Sequence, residues 1–269
     1  MGKIIGLTGA TGVIGKLLHE KLLDRGDIVK CFQHDIRDKN AVADWIGTGR
    51  FDCIIHLAAL VPVIEVETTP FKAFSVNVGG TVSLLSAVST MNDVPWIFYS
   101  STSHVYKSSS KPISEEGEIE PINLYGKTKY YAEEAIRCFS KEHKSAVCIG
   151  RIFSFYHKTQ HKPFLYPAIK ERLSKENLAK PFYLKGARDI RDFLMAEDVA
   201  ERIIDLMDAK YDGIINIASG KGITIEDFVQ SMTDVDLKII TDKIEANSYL
   251  VADVTKLRTV REKQFERDE

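Results

Sequence analysis

Long hydrophobic runs are missing from this sequence. No uninterrupted apolar stretch approaches the roughly 20 residues that a helix needs to cross a bilayer. That argues against a membrane-spanning chain. An excess of either charge is missing too. Lys and Arg number 36 against 38 Asp and Glu, a net charge of -2. Neither a nucleic-acid backbone nor an anionic membrane surface is therefore an expected partner. Cysteine is scarce and scattered. Cys31, Cys53, Cys138 and Cys148 form no CxxC pair, which speaks against a disulfide framework or a zinc site and suits a reducing cytoplasm. The first residues, MGKIIGLTGA, lack the apolar core and cleavage site of a secretion signal. Gly6 stands where an N-myristoylation motif needs Ser or Thr.

What is present is an alternation. KIIGLTG, DIVKCF, FDCIIHLAA, VPWIFYSS and SAVCIGRIF are short, apolar and β-branched, as strands buried on both faces should be. Between them lie VIGKLLHEKLLDRG, AVADWIG, FKAFSVNVGGTVSLLSAVSTM and LYGKTKYYAEEAIRCFSKEH, which read as helices. Strand and helix in turn predict an α/β fold with a doubly wound parallel sheet. The pattern changes after about residue 155. AIKERLSKENLA, AEDVAERIIDLMDA and TIEDFVQSM read as helices, and GIINIASG as a late strand returning to the sheet. This predicts a dinucleotide-binding domain over 1–154, joined by 191–218. A small C-terminal substrate-binding lobe takes 155–190 and 219–269. The last residues, REKQFERDE, are charged throughout and are expected to fray.

TGATGVIG places Gly9, Gly12 and Gly15 between the first strand and the first helix. The physical needs are a tight turn, room for a pyrophosphate against the backbone, and close helix–strand packing. The helix N-terminus then faces the negative charge. An acid that reads the cofactor ribose is expected about 20 residues further on. Gln33 and His34 occupy that place, and Asp35 opens a separate element, DIRD. NAD and NADP both stay open.

With these features in order, the chain resembles the extended short-chain dehydrogenase/reductase family, in its NAD-dependent epimerase/dehydratase group acting on nucleotide sugars. The resemblance runs from Gly9 to about Asp198, through TGATGVIG, DIRD, IHLAA, NVGGT, SSTSHVY, YGKTK, GRIF and RDFLMAEDVA. It implies that Gly9, Thr11, Gly12, Val13, Ile14 and Gly15 cradle the cofactor, that Asp35 and Ile36 meet the adenine, and that Leu57, Ala58 and Ala59 line it. Asn77, Ser100 and Phe153 complete the cofactor side. Thr102, Tyr125 and Lys129 are implied as the catalytic set, with Tyr125 and Lys129 also touching the cofactor. Thr102, Ser103, His104, Tyr125, Ser154 and Arg191 are implied on the substrate side, Arg191 at a diphosphate. The resemblance also implies a homodimer through the helices carrying Asn77 and Tyr125.

The chemistry can be read without the name. Tyr125 and Lys129 are four apart on a helix and share a face. A phenol ordinarily titrates near 10, and a neighbouring ammonium lowers that. Thr102 would hold the substrate oxygen beside the phenol. Arg191 has a plainer alternative as the ion-pair partner of Asp189 or Asp192. His157 and His161 are also four apart, but no third ligand pattern accompanies them, and no metal is expected. Ser103 and His104 stand where family dehydratases place an acidic pair, which ranks dehydration below ketone reduction or epimerisation. Ser154 replaces a usual asparagine. The expected activity is NAD(P)-dependent reduction of a nucleotide-bound 4-keto sugar. The alternatives are a nucleotide-sugar 4-epimerase, a ketone reductase for a non-nucleotide carbohydrate, and a dinucleotide-binding scaffold without catalysis.

Overall fold

Six parallel strands form the floor on which everything else sits. The computed structural model describes residues 2–242, 245–246 and 248–268, with the backbone alone from 264 onward. The chain runs β1 (Ile4–Thr8), α1 (Val13–Asp24), β2 (Ile28–Cys31), α2 (Lys39–Gly49), β3 (Cys53–His56), α3 (Val63–Thr68) and α4 (Pro70–Phe74). A π-helical turn, Ser75–Gly79, leads into α5 (Gly80–Val88), then β4 (Trp96–Thr102), a 3-10 turn (Ser103–Val105), α6 (Leu124–His143) and β5 (Val147–Ile152). The second half brings β6 (Ser154–Tyr156), α7 (Leu165–Lys175), β7 (Phe182–Tyr183), β8 (Ile190–Met195), α8 (Ala196–Asp208) and β9 (Gly213–Ile217). It closes with β10 (Gly222–Thr224), α9 (Ile225–Gln230), β11 (Ile239–Ile240), β12 (Tyr249–Leu250) and α10 (Thr255–Asp268).

The main sheet has the order β2-β1-β3-β4-β5-β9, as the doubly wound expectation requires. Its strands alternate between two cores with the two-residue period of a strand. Ile5, Leu7, Cys53, Ile55, Trp96, Phe98 and Cys148 face one way, packed with Leu18 of α1 and Ile203 of α8. Ile54, Ile97, Tyr99, Val147 and Ile149 face the other, packed with Val42, Leu84 and Ile136. Burial on both faces explains why these segments read as apolar runs rather than alternating ones. GIINIASG does return to the sheet, as β9 beside β5.

The small sheets lie over the open end. β8 pairs with β6 and β10, and β12 joins it, while β7 pairs with β11. β8 thus belongs to this second layer, across the boundary expected at residue 191. Short pairs of two or three residues carry too little periodicity to be read from the sequence. Pro70–Val88 is 19 residues of apolar helix. Its inner side, with Ala73, Asn77, Thr81, Leu84 and Leu85, is buried within the fold. The expected long helix is therefore present, but interrupted by the π turn at Asn77. The C-terminal residues expected to fray are helical through Asp268 in α10; Glu269 lies outside the described residues.

Candidate active site

The carboxyl ends of β1, β3, β4 and β5 open on a cavity of about 760 Å³. One side of it is the glycine turn. Gly9 has φ +73, and a Cβ there would lie 2.7 Å from the Ala58 nitrogen. A Cβ on Gly15 would lie 2.2 Å from the Gly9 carbonyl oxygen, so only glycine lets α1 start this close to β1. Gly12 is different. It is the N-cap of α1, no side chain caps it, and a Cβ would meet only the Gly9 oxygen, at 3.4 Å. The uncapped N–H groups of this helix start are a ready anion cradle, and the residues fit a dinucleotide pyrophosphate. Gly9, Thr11, Gly12, Val13, Ile14, Gly15, Leu57, Ala59, Ser100 and Phe153 all line the cavity.

Five residues expected on the cofactor side lie outside the cavity wall, and Lys129, over the Tyr99 ring, is one of them. Ala58 gives its N–H to the Thr8 hydroxyl at 3.2 Å and is not in the cavity wall. Ile36 is buried against α5, where a Cβ on Gly80 would strike it at 2.6 Å. Asp35 lies outside the wall, and its carboxylate is clasped by Arg37, whose Nε reaches both oxygens at 2.9 and 3.0 Å. That hydrogen bond holds the Asp35 pKa down to about 2. Asn77 acts from behind. Its Oδ1 accepts from Leu60 N–H at 2.7 Å, and its Nδ2 donates to the Leu60 carbonyl and the Thr128 hydroxyl. With both ends of the amide used by protein, Asn77 shapes the site and does not line it.

Thr102 and Tyr125 meet in the cavity wall, from the end of β4 and the first turn of α6. Asn123 caps that helix by accepting from Gly126 N–H at 2.8 Å, which sets the angle at which Tyr125 enters. The phenol is pushed above its ordinary range by burial, and a hydrogen bond with the Thr102 hydroxyl pulls the other way. The expected lowering by Lys129 is not the governing effect here. The Lys129 ammonium instead sits 4.2 Å over the Tyr99 ring. Burial pushes the Lys129 pKa down to about 7, and the Glu133 charge opposes that.

The sign of this shift gives a prediction. The folded chain binds Lys129's proton less tightly than the unfolded chain does. Between about pH 7 and the unfolded value near 10.4, the unfolded state carries more protons, so stability rises with pH across that window. Below it the full cost of burying the charge is present. Lys129→Met is therefore expected to raise the Tm at pH 7 by a few degrees, about 2–4 °C per kcal/mol for a chain of this size. It should also flatten the rise between pH 7 and 10. Thermal melts over that range check both; a Tm lowered by the substitution would overturn the argument.

Behind Lys129 lies a network that the sequence reading missed. Glu133 is wholly buried and takes Arg151 Nε and Nη2 at 3.1 and 2.7 Å, together with the Ser101 hydroxyl. Arg151 is also buried, stacked 4.6 Å over the Tyr106 ring. The pair ties α6 to β4 and β5, one residue from Thr102 and from Ile152. The spacing Tyr125–Lys129–Glu133 puts all three on one helix face, which is the signal that extends to Glu133. His56, within IHLAA, carries no role readable from the sequence. It is buried between the Thr8 and Thr81 hydroxyls at 2.7 and 3.0 Å, and burial lowers its pKa to about 3.

On the substrate side, His104, Ser154 and Arg191 line the cavity. Ser103 does not: it is 3% exposed, held inside the 3-10 turn. Arg191 Nη2 donates to the Ser248 hydroxyl at 2.6 Å and lies 3.4 Å from Asp189. Asp192 is not its partner. That carboxylate accepts from Ser219, Gly220 and Ala252 N–H groups and stitches β8 to β9's following loop. The far wall is aromatic, with Phe193 stacked on Phe228 at 3.9 Å and Tyr156 between Phe228 and Tyr166. His157 is engaged by the Thr159 hydroxyl at 2.7 Å and by Glu197 at 3.1 Å.

Comparison with known proteins points the same way. The family model described as GDP-mannose 4,6 dehydratase matches residues 27–269. A putative UDP-arabinose 4-epimerase 2 of Arabidopsis thaliana is 30% identical over 231 residues, covering 76% of this chain and 55% of that protein. A UDP-glucose 4-epimerase of Lactobacillus helveticus is 27% identical over 266 residues, covering 90% of this chain and 80% of that one. The chain thus spans about half the length of the first of these relatives and four fifths of the second. Among solved structures, the Thermus thermophilus UDP-glucose 4-epimerase in complex with NAD superposes with a TM-score of 0.80 at 22% identity, covering 95% of this chain and 92% of that one. At that identity the likeness speaks for the fold.

Proposed function

This chain belongs to the extended short-chain dehydrogenase/reductase family, in its NAD-dependent epimerase/dehydratase group, and from that premise we propose that it moves a hydride at C4 of a nucleotide-activated sugar. The observation that carries this reading is the meeting of Thr102 and Tyr125 in one cavity wall opposite the uncapped glycine cradle. The names of the relatives favour 4-epimerisation over the net reduction expected from the sequence.

NAD or NADP, when bound on Gly9–Gly15, supplies the hydride acceptor and donor and a positive ring in its oxidised form. Thr102 holds the C4 oxygen against the phenol. Tyr125 takes the proton of the C4 hydroxyl as hydride leaves carbon, and returns it when hydride comes back. Lys129 lies one turn on along the same helix face, its ammonium over the Tyr99 ring, and when protonated its charge favours the phenolate from there as a secondary effect. Arg191 holds the diphosphate, for which a guanidinium is well shaped. The aromatic wall excludes water from the sugar.

The test is cofactor stoichiometry. Purified chain is incubated with UDP-sugars and catalytic NAD, and the C4 epimers are resolved by chromatography. Epimerisation without net change in NADH absorbance supports the reading. Stoichiometric oxidation of NAD(P)H by a nucleotide 4-keto sugar would replace it with the reductase. Turnover of sugars lacking the diphosphate as fast as nucleotide sugars would favour the non-nucleotide reductase.

The same reading includes a homodimer in the cytoplasm, where the four cysteines stay free thiols. Phe71, 87% exposed, stands with Phe74, Val82 and Tyr131 on the outer side of α4, α5 and α6. An apolar patch of this kind marks an interface. Phe71→Asp is expected to turn a dimer into a monomer at micromolar concentration, read by sedimentation velocity. A parent chain that sediments as a monomer would remove the dimer from the proposal.

A further inference from the structure

His104 lines the cavity beside Tyr125, the two rings 5.8 Å apart and edge to face at 82°. Its Nδ1 lies 2.9 Å from Asn123 Nδ2. Taken alone, that contact leaves the tautomer open, because an imidazole nitrogen and a side-chain amide can each play either part. Gly126 decides it. A backbone N–H only donates, and that of Gly126 reaches Asn123 Oδ1 at 2.8 Å. The amide oxygen is therefore turned to Gly126 and the amide nitrogen to His104. Nδ1 accepts, so the proton of the neutral ring is on Nε2. No described residue bonds Nε2.

The ring's backbone is held as firmly. Ile122 N–H donates to the His104 carbonyl at 3.1 Å. A Cβ on Gly126 would lie 2.2 Å from that same oxygen, so the start of α6 rests on His104. The segment that delivers Tyr125 thus also aims His104. The ring is neutral: burial, helped by the Arg191 charge, pushes its pKa down to about 4, and an N–H donor at Nδ1 favours that same neutral form. The groups facing it are Tyr125 and Asn123 from the α6 start and Arg191 from β8.

We propose that Asn123 locks His104 as a neutral Nε2–H donor, and that this N–H bonds an acceptor oxygen of the sugar next to the one held by Thr102 and Tyr125. The proposal rests on the sugar reading above. It has a chemical consequence. A neutral imidazole gives up its last proton only far above neutral pH, so His104 orients a sugar and does not expel water from it. The position that would supply an acid for dehydration supplies a specificity contact.

The tautomer is read without substrate, by nitrogen-15 NMR of histidine-labelled protein, with the signal assigned by its loss in His104→Gln. The expected result is a protonated Nε2 and a bare Nδ1, unchanged from pH 6 to 8. Asn123→Asp leaves Gly126 its acceptor but offers His104 only an oxygen. It should move the proton to Nδ1 or give the ring a new ionisation near neutrality, seen both by NMR and in the pH profile of kcat/KM. With a turned-over nucleotide sugar, His104→Leu should lower kcat/KM by about 10–100-fold, the loss of one buried hydrogen bond. His104→Gln, whose amide reaches a similar place, should recover most of that loss. A protonated Nδ1 in the parent chain, or full activity in His104→Leu, would overturn the proposal. If no nucleotide sugar is turned over by the parent, the functional reading falls, while the NMR arms still decide the Asn123 lock.

Discussion

Tyr125→Phe is expected to lower kcat by about 10²–10⁴-fold, the usual contribution of a positioned acid–base group. The reason is local. The ring packs with Val66 and Ala73, and phenylalanine keeps that packing. Only the hydroxyl and its bond to Thr102 are lost, so the Tm should move by no more than a few degrees. The pH dependence separates the chemistry from the packing. Burial holds the phenol above its ordinary range, so the parent's kcat/KM should rise with pH on its alkaline side as phenolate forms. The residual rate of Tyr125→Phe should lack that rise. Steady-state rates from pH 6 to 10 check both; turnover equal to the parent's would end the assignment of Tyr125 as acid–base group and revive a non-catalytic dinucleotide-binding role.

Glu133→Ala is expected to cost stability instead, about 3–5 kcal/mol, because it leaves the Arg151 guanidinium buried without its carboxylate. For a chain of this size that is a fall in Tm on the order of 10 °C. The loss measures the orphaned charge rather than the worth of the pair. A Glu133→Gln, Arg151→Met double variant removes both charges and should recover most of the lost stability. Its kcat should nonetheless stay below the parent's, since Ser101 and Arg151 flank the Thr102 strand end and the floor of the site. Denaturant melts and rates on the same preparations test the two halves together. A single Glu133→Ala variant as stable as the parent would show that Arg151 finds water or another partner, and would sink the account of the pair.

Much of the fold and part of the site were legible in the chain itself. The parallel sheet follows from strands buried on both faces, whose apolar runs survive any register. The glycine turn is legible in TGATGVIG, where backbone crowding demands Gly9 and Gly15 and Gly12 opens the uncapped helix start. That Tyr125 and Lys129 share a helix face follows from helical spacing, while their catalytic roles were implied by the family resemblance. These are local facts, carried within ten or twenty residues. What the sequence left undecided depends on distance in the chain. Lys129 was expected beside the phenol and sits over Tyr99, because the fold brings β4 under α6. Ser103 was expected in the cavity and is buried, while the 3-10 turn after β4 brings His104 into the cavity wall. Asp192, offered as a partner for Arg191, is spent on three N–H groups up to 60 residues away. The tautomer of His104 needed Asn123 and Gly126, about 20 residues on. Short-range periodicity determines which segments become strands and helices; only tertiary packing decides which polar atoms are left free, and those free atoms are what a site is made of.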